Sequence, residues 1–244
     1  MALHFVLDEP ARAQAGDVVT LTGAEAHHAA AVRRVRVGEE VTVGDGRGAW
    51  LAGVCESVSP REVVVRVISR TDTAAPRPRI VLVQALAKGD RDELAVQAAT
   101  ELGIDEIVPW QSARGVSRWD AAKAEKGRAR WASIVREAAK QAHRIWIPEV
   151  APLATTRDIA TRTASSRTLV LEPTGSDRLA TLDLTGEERD ILLVVGPEGG
   201  IAPDELAVFR DAGASLMRLG ESVLRTSTAG PAALAVISAA LGRW

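Results

Sequence analysis

Two glycine-bearing segments near the end of the chain carry the residue types best suited to chemistry. The first, Gly196-Pro197-Glu198-Gly199-Gly200, directly follows the apolar run 191–195. Three glycines in five residues let the main chain approach a ligand closely, and Glu198 adds a carboxylate. The segment lacks the glycine spacing of a dinucleotide-binding loop, and no Gly-Lys-Ser/Thr follows it, so a phosphate cradle is disfavoured. A ligand loop is one interpretation, and a plain glycine-rich turn fits the local pattern equally well.

The second segment combines a small turn with a permanent positive charge. Leu219-Gly220 follows another strand-like run, and Arg225 stands ahead of the predicted final helix, Pro231–Leu241. Residues 226–228 are Thr, Ser and Thr, which are types that cap helices. Arg225 alone could be an ordinary surface charge. Two glycine-bearing loops that both follow strands favour a ligand site.

The elements that must position these segments alternate along the chain. Strands spaced by helices predict a parallel α/β sheet, and such sheets bind ligands beyond the carboxyl ends of their strands. The continuously apolar run 191–195 fits a central strand covered by helices on both faces. The predicted strands are Ile80–Leu86, Glu106–Pro109, Thr168–Leu171, Ile191–Val195 and Ser215–Leu219, and the first helix between them is Asp90–Leu102.

The first part of the chain has short strands and turn signals, which predict a small β-barrel. Glycines between 44 and 48 supply residues that tolerate the positive φ of a hairpin. The segment 71–78 has two prolines and no apolar periodicity, so it marks a boundary. We therefore predict a barrel at 1–72, a linker at 73–78 and an α/β domain at 79–244. The barrel's predicted elements are strands Asp17–Leu21, Glu40–Val43, Trp50–Val58 and Glu62–Ile68 and one helix, Glu25–Val35.

The composition is that of a globular protein and excludes several classes. Of 244 residues, 46% are hydrophobic and 25% are charged. No apolar run reaches the roughly eighteen residues of a membrane helix, and the first residues lack a basic segment followed by an apolar one. The single cysteine, Cys55, can make neither an intrachain disulfide nor a multi-cysteine zinc site. We expect a cytoplasmic protein without a membrane span.

Positive charge is concentrated in one stretch, although the formal net charge is −2. Between Ser112 and Arg144, nine Lys or Arg residues stand against three acids, a local excess of six. Arg136, Lys140 and Arg144 recur every four residues, which predicts one face of a helix. Such a stripe suits the phosphates of a nucleic acid, and a merely solvated helix face is the alternative.

Several motifs together carry a close resemblance over most of the chain. They are Gly196-Pro197-Glu198-Gly199-Gly200, Leu219-Gly220 with Leu224-Arg225-Thr226 and Thr228-Ala229, Ala99-Thr100-Glu101-Leu102-Gly103, Arg130-Trp131 with Glu137-Ala138-Ala139, and His27-His28 with Val32-Arg33-Arg34. The chain resembles the 16S ribosomal RNA uracil-N3 methyltransferases, called the RsmE family, within the SPOUT superfamily. It departs from the family pattern at Ala98, Ser227 and His4, where Lys, Glu and Arg are common.

The resemblance implies a fold, a cofactor and a substrate. The fold would be an N-terminal PUA-like barrel and a C-terminal α/β domain with a trefoil knot, in a homodimer. The cofactor would be S-adenosylmethionine, and the substrate a uridine in the decoding region of 16S ribosomal RNA within the assembled small subunit. The implied cofactor-binding residues are Leu171, Glu172, Gly196, Pro197, Glu198, Gly199, Gly200, Leu219, Gly220, Val223 and Leu224.

Methylation of uracil N3 requires that the N3 proton leave and that the resulting anion be stabilised. Arg225 is the first candidate for that stabilisation, because it stays protonated and its planar fork could hold a uracil oxygen. Glu198 is the nearest candidate for accepting the proton. It could equally hold the loop or orient the cofactor, and positioning with desolvation could suffice without a base.

Basic residues in both predicted domains could contact RNA. His27 lacks Cys, Asp or Glu partners at ligand spacing, so we expect no metal site. Three rival functions stay open: a ribose 2′-O-methyltransferase of the same superfamily, a non-catalytic RNA-binding assembly factor and a nucleotide-dependent dehydrogenase. The dehydrogenase is weakened because the glycine spacing of a dinucleotide-binding loop is missing. The candidate RNA contacts are His27, Arg33, Arg34, Arg36, Arg114, Arg118, Arg136, Lys140 and Arg144.

Overall fold

The computed structural model describes residues 2–7 and 12–244. The chain divides into two compact units. The first comprises the chain up to Ala75 together with Ala139–Ile147, and the second comprises Pro76–Ala138 and Pro148–Trp244. Sequence analysis did not anticipate that the chain returns to the first unit at 139–147. Within the described ranges, no helix is both long and apolar enough to cross a membrane.

Five strands form the sheet of the first unit: β1 (Leu3–Val6), β2 (Val18–Thr22), β3 (Glu40–Gly44), β4 (Ala49–Val58) and β5 (Glu62–Asp72). Their order is β1-β3-β4-β5-β2; β1 is parallel to β3, and the other neighbours are antiparallel. Alternating side chains, among them Leu21 and Leu51, pack into a core with Phe5. The four predicted strands are present, and β1 is an addition.

The single helix predicted at Glu25–Val35 is wrong in its extent and kind. The structure has a short α1 (Gly23–His27) followed by one turn of π-helix, His28–Val32. Arg34 then takes a φ of 55°, a left-handed conformation that cannot continue a right-handed helix. Val35 is buried in the core beyond this turn, so its apolar character reflects packing and not helix.

The returning segment 139–147 packs on the first unit through polar and apolar contacts. The amide of Ile147 donates to the carbonyl of Gly46 (2.9 Å), and Trp146 Nε1 donates to the carbonyl of Thr73 (3.0 Å). A Cβ at Gly46 would lie 2.6 Å from Ile147 Cδ1. Glycine is therefore required where this segment crosses the turn between β3 and β4.

His4 anchors a cluster of rings in the same unit. Its side chain is 7% exposed and stacks on Trp50, with ring centroids 4.1 Å apart and an interplanar angle of 9°. The ring of His143 lies 5.6 Å from that of His4. His4 Nδ1 lies 3.0 Å from Thr42 Oγ1. The imidazole is therefore held inside the unit.

The second unit contains a seven-stranded sheet in which all neighbouring strands are parallel. Its strands are β6 (Ile80–Ala85), β7 (Glu106–Trp110), β8 (Glu149–Val150), β9 (Arg167–Leu171), β10 (Asp177–Arg178), β11 (Ile191–Val195) and β12 (Ser215–Arg218), in the order β10-β12-β9-β11-β6-β7-β8. The central β11 is buried along its whole length, as its apolar run predicted. The predicted parallel α/β sheet is therefore confirmed.

Four helices connect these strands, and a fifth, α6, follows the last strand. They are α2 (Arg91–Glu101), α3 (Ala121–Gln141), α4 (Thr156–Thr163), α5 (Pro203–Asp211) and α6 (Thr226–Ala240), with a 3₁₀ turn at Leu179–Thr181. The last part of α3 belongs to the segment 139–147 of the first unit. The final helix was predicted to start at Pro231, because proline favours a first turn. It starts at Thr226 instead, with Pro231 inside it. Arg225 is thereby its N-cap residue.

Candidate active site

A cavity of about 430 Å³ lies at the carboxyl ends of β9, β11 and β12 and the start of α6. Its volume and position suit a small-molecule site in a parallel sheet. Gly199 alone of the predicted cofactor-binding residues does not line it, and its carbonyl instead accepts from Arg114 Nη1 at 3.4 Å. Ten of the eleven line the cavity: Leu171, Glu172, Gly196, Pro197, Glu198, Gly200, Leu219, Gly220, Val223 and Leu224.

Two glycines of the first loop are required by its geometry. A Cβ at Gly196 would lie 2.7 Å from Cγ1 of the buried Ile201. Gly200 has a φ of 70°, which disfavours any side chain. At Gly220, in the second loop, a Cβ would meet no atom within 4 Å. The first loop is therefore constrained by packing at Gly196, whereas Gly220 faces open space.

Glu198 ties the glycine loop to the segment after β6. One of its carboxylate oxygens accepts from the amide of Lys88 (3.1 Å) and from Arg91 Nη1 (2.8 Å). Partial burial raises the pKa of Glu198, but hydrogen bonds from its own amide, from Lys88 and from Arg91 outweigh burial, so the pKa lies below its ordinary value. Glu198 is a carboxylate in an ion pair at neutral pH.

Arg225 lines the cavity and is exposed to solvent. Within the part of the chain that the structure describes, its guanidinium makes no hydrogen bond or ion pair. The adjacent Thr226 is buried, and its Oγ1 donates to the carbonyl of Gly196 at 2.9 Å. The same Oγ1 accepts from Gln84 Nε2 at 2.9 Å. The two predicted segments therefore meet through one hydroxyl.

Several residues that line the cavity were not predicted from the sequence. Arg91 could have been found, because it follows the end of β6 and the carboxyl ends of parallel strands share one edge of a sheet. Arg218 ends β12; its Nη1 lies 3.6 Å from a carboxylate oxygen of Glu221. The other missed residues are Pro173, Val195, Ile201, Met217, Ser222, Thr226 and Ala229.

Most candidate RNA contacts are accessible. The exposed ones in the first unit are His27, Arg33, Arg34 and Arg36, and those in the second are Arg114 and Arg118. Arg118 Nη2 donates to the carbonyl of Ala113 (2.8 Å), and Arg114 reaches Gly199 of the glycine loop. Arg114 thus places a positive charge next to the candidate active site.

The predicted stripe of Arg136, Lys140 and Arg144 does not exist as a solvent-exposed helix face. Lys140 is 7% exposed, and its Nζ lies 2.8 Å from Glu25 Oε1 in an ion pair. Because α3 ends at Gln141, Arg144 lies beyond the helix, and Arg136 and Arg144 are both half-buried. Lys140 is therefore a buried structural cation and is not placed to contact RNA.

No group of three or more His, Cys, Asp and Glu side chains suited to a metal ion occurs among residues 2–7 and 12–244. The only cysteine in the sequence, Cys55, is buried and reduced. Burial raises the pKa of its thiol. Cys55 is therefore a packing residue of the first unit.

Two domain-family models match the chain. Residues 73–238 match the family model of the RNA methyltransferase domain, and residues 21–68 match that of the RNA methyltransferase PUA domain. A parallel sheet with a glycine-lined cavity at its carboxyl edge, in one chain with a PUA-like unit, defines an RNA methyltransferase.

The relatives are more specific than the class. The ribosomal RNA small subunit methyltransferase E of Mycobacterium bovis is 42% identical, over 94% of this chain and 89% of that protein. That of Bacillus subtilis is 29% identical over 98% and 96%. The crystal structure of the Neisseria gonorrhoeae protein of the same name, bound to S-adenosyl methionine, is 28% identical, with a TM-score of 0.87 over 98% of both chains. The chain belongs to the ribosomal RNA small subunit methyltransferase E family.

Family membership confirms the resemblance drawn from the motifs and the expected PUA-like unit joined to an α/β methyltransferase domain. The SPOUT superfamily stays an expectation of the resemblance. The trefoil knot stays a prediction implied by the family.

Proposed function

We propose that the protein transfers a methyl group from S-adenosylmethionine to N3 of a uracil in the decoding region of 16S ribosomal RNA. The observation that carries the proposal is the cavity at the carboxyl edge of the sheet, where both glycine-bearing loops meet Arg225. Membership of the ribosomal RNA small subunit methyltransferase E family supports the substrate class, and the cofactor named for the Neisseria gonorrhoeae relative supports the donor.

The cavity fits this cofactor in size and chemistry. Its volume of about 430 Å³ lies within the usual range for small-molecule sites. Apolar side chains such as Leu171 and Met217 offer surface for the adenine ring and the methylene groups of the methionine part, while main-chain groups of Gly196 and Leu219 can pair with polar edges. When bound, the cofactor supplies a methyl group on a positively charged sulfur.

Arg225 would stabilise the uracil anion that forms when N3 loses its proton to water. It is a permanent cation at the cavity wall, and no carboxylate of the described residues neutralises it. Its position as N-cap residue of α6 fixes its main chain at the cavity wall, from which the side chain can reach the base. The role is electrostatic, and Arg225 takes no proton.

Glu198 is better suited to holding the loop than to accepting the proton. Its lowered pKa makes it a weaker base, and Arg91 and the Lys88 amide already engage one of its oxygens. A general base works best when its pKa lies near the operating pH. The geometry therefore favours the alternative in which Glu198 joins the glycine loop to the segment after β6.

Exposed basic residues of both units would bind the RNA. The protein would act as a homodimer on the assembled small subunit in the cytoplasm. His27, Arg33, Arg34 and Arg36 are exposed on the PUA-like unit, and Arg114 adjoins the glycine loop. The modest net charge of −2 suits an enzyme that draws part of its recognition from an assembled particle. Val223 and Leu224, which line the cavity and have exposed apolar side chains, support a subunit contact at the cavity mouth.

The test is mass spectrometry of nucleosides from small-subunit RNA, after incubation of undermodified subunits with the protein and labelled S-adenosylmethionine. Arg225→Ala should lower the rate about 10²- to 10³-fold, the usual cost of removing one electrostatic stabiliser. Arg210→Ala, exposed on α5 and outside the cavity, is the matched control and should leave the rate unchanged. Label in 3-methyluridine is the expected result. Label in a 2′-O-methylated nucleoside would overturn the chemistry, and absence of label would favour a non-catalytic RNA-binding factor.

A further inference from the structure

A buried glutamine lies behind the cavity and does not line it. Gln84, near the end of β6, is fully buried. Its Nε2 donates to the carbonyl of Ala85 (3.1 Å) and to Thr226 Oγ1 (2.9 Å). Thr226 Oγ1 in turn donates to the carbonyl of Gly196 (2.9 Å). One hydroxyl therefore joins a central strand, the glycine loop and the first residue of α6.

Packing alone does not explain a glutamine at this position. Gln84 Oε1 is buried and has no hydrogen-bond partner among the described residues. A buried acceptor without a partner costs stability, whereas an apolar side chain of similar length would fill the same space without that cost. A buried polar residue that costs stability is a candidate for a functional role.

The geometry points to Gln84 and Thr226 as positioning residues. They hold the Gly196 carbonyl, and with it the glycine loop, at a fixed position relative to Arg225. The inference rests on the proposed function. Thr226 directly follows Arg225. Its hydroxyl accepts a hydrogen bond from Gln84 Nε2 and donates one to the Gly196 carbonyl. Loss of the hydroxyl would release the loop and the arginine from each other. Gln84, which does not line the cavity, would act only through Thr226.

The test uses variants of the full chain that keep shape while removing one polar group. Thr226→Val removes the hydroxyl, Thr226→Ser retains it, and Gln84→Met removes the amide. Thr168→Val is the matched control, because Thr168 is a buried threonine of β9 whose Oγ1 donates to Thr163 Oγ1 at 3.1 Å and which does not line the cavity. For each variant we would measure the Kd of S-adenosylmethionine by calorimetry, the methylation rate at saturating cofactor, and the thermal midpoint.

Thr226→Val should weaken S-adenosylmethionine binding about tenfold and slow methylation at saturating cofactor about tenfold, which is the scale of one lost hydrogen bond in each state. Thr226→Ser should restore both within about twofold. Thr168→Val should lower the thermal midpoint and leave both functional values unchanged. A change in both the Kd of S-adenosylmethionine and the methylation rate at saturating cofactor is expected of a residue that positions both the glycine loop and Arg225.

The double variant Gln84→Met/Thr226→Val separates positioning from simple stabilisation. Replacing both polar partners by apolar groups should recover the thermal midpoint lost in Thr226→Val, while binding and rate stay low. Recovery of binding together with stability would overturn the inference, as would wild-type binding by Thr226→Val. If the wild-type chain itself does not bind S-adenosylmethionine, the proposed function fails, and this inference fails with it.

Discussion

Replacing Lys140 by methionine should strongly destabilise the first unit, because it removes the cation of a buried ion pair. Lys140 Nζ lies 2.8 Å from Glu25 Oε1, and the two side chains are 7% and 13% exposed. At this separation and an effective dielectric constant of about 20, the attraction is about 6 kcal/mol before desolvation is subtracted. Removal of one partner from a buried pair costs about 3–5 kcal/mol. We expect Lys140→Met to lower the free energy of unfolding by that amount.

Urea unfolding of the full chain, followed by tryptophan fluorescence, measures this change. Lys123→Met is the control, because Lys123 lies on the same helix and its pair with Asp120 spans 3.5 Å with side chains 67% and 64% exposed. It should change the free energy by less than about 0.5 kcal/mol. The double variant Glu25→Leu/Lys140→Met should recover most of the loss, since apolar residues often replace buried pairs without penalty. A change below about 1 kcal/mol in Lys140→Met would refute the burial of this pair and return Lys140 to the candidate RNA contacts.

Three further predictions concern His4 and the glycine loop. Burial chiefly lowers the pKa of His4 from 6.5 to about 4, so an NMR titration of its ring should have its midpoint near pH 4, and a midpoint near 6.5 would contradict the stacked, buried position. The unfolded chain binds this proton more readily than the folded chain does. The contribution of neutral His4 to the free energy of unfolding is therefore fully present above pH 6.5 and decreases by about 3 kcal/mol as the pH falls to 4. Gly196→Ala should lower the free energy of unfolding by about 1–3 kcal/mol, because its Cβ meets Ile201, whereas Gly220→Ala should change it by less than about 0.5 kcal/mol; equal effects in chemical denaturation would disprove the packing argument. Glu198→Gln should raise the KM for S-adenosylmethionine and lower kcat less than about tenfold, and a kcat loss of about 10² or more would make Glu198 the proton acceptor.

The strands of the second unit were predictable where their apolar runs are long enough to indicate burial. The predicted strand Ile191–Val195 coincides with β11, and Ser215–Leu219 exceeds β12 by one residue. β8 and β10 were missed because each has only two residues, too few to show periodicity. Strand length, and not burial, set the limit of the prediction.

The candidate active site was predictable because parallel strands bring their carboxyl ends to one edge of the sheet. From that rule alone, the loops at 196–200 and 219–224 are predicted to lie at the same edge of the sheet. It could not reveal that Glu198 pairs with Arg91, which lies 107 residues earlier in the chain. The prediction that Lys140 lies on an exposed basic helix face was wrong for the same reason. Its partner Glu25 is 115 residues away, and local periodicity carries no information about that pairing. Side-chain pairing across such distances depends on the finished fold.

The return of residues 139–147 to the first unit constrains the order in which the chain can mature during synthesis. Gly46, Thr73 and Glu25 leave the ribosome early, yet their contacts with Ile147, Trp146 and Lys140 cannot form until more than half of the chain has been made. By then the residues of β6, α2 and β7 have already been synthesised, so the first unit is completed only after synthesis of the second has begun. A gene split or recombined at the linker would therefore separate the PUA-like unit from its own last structural segment.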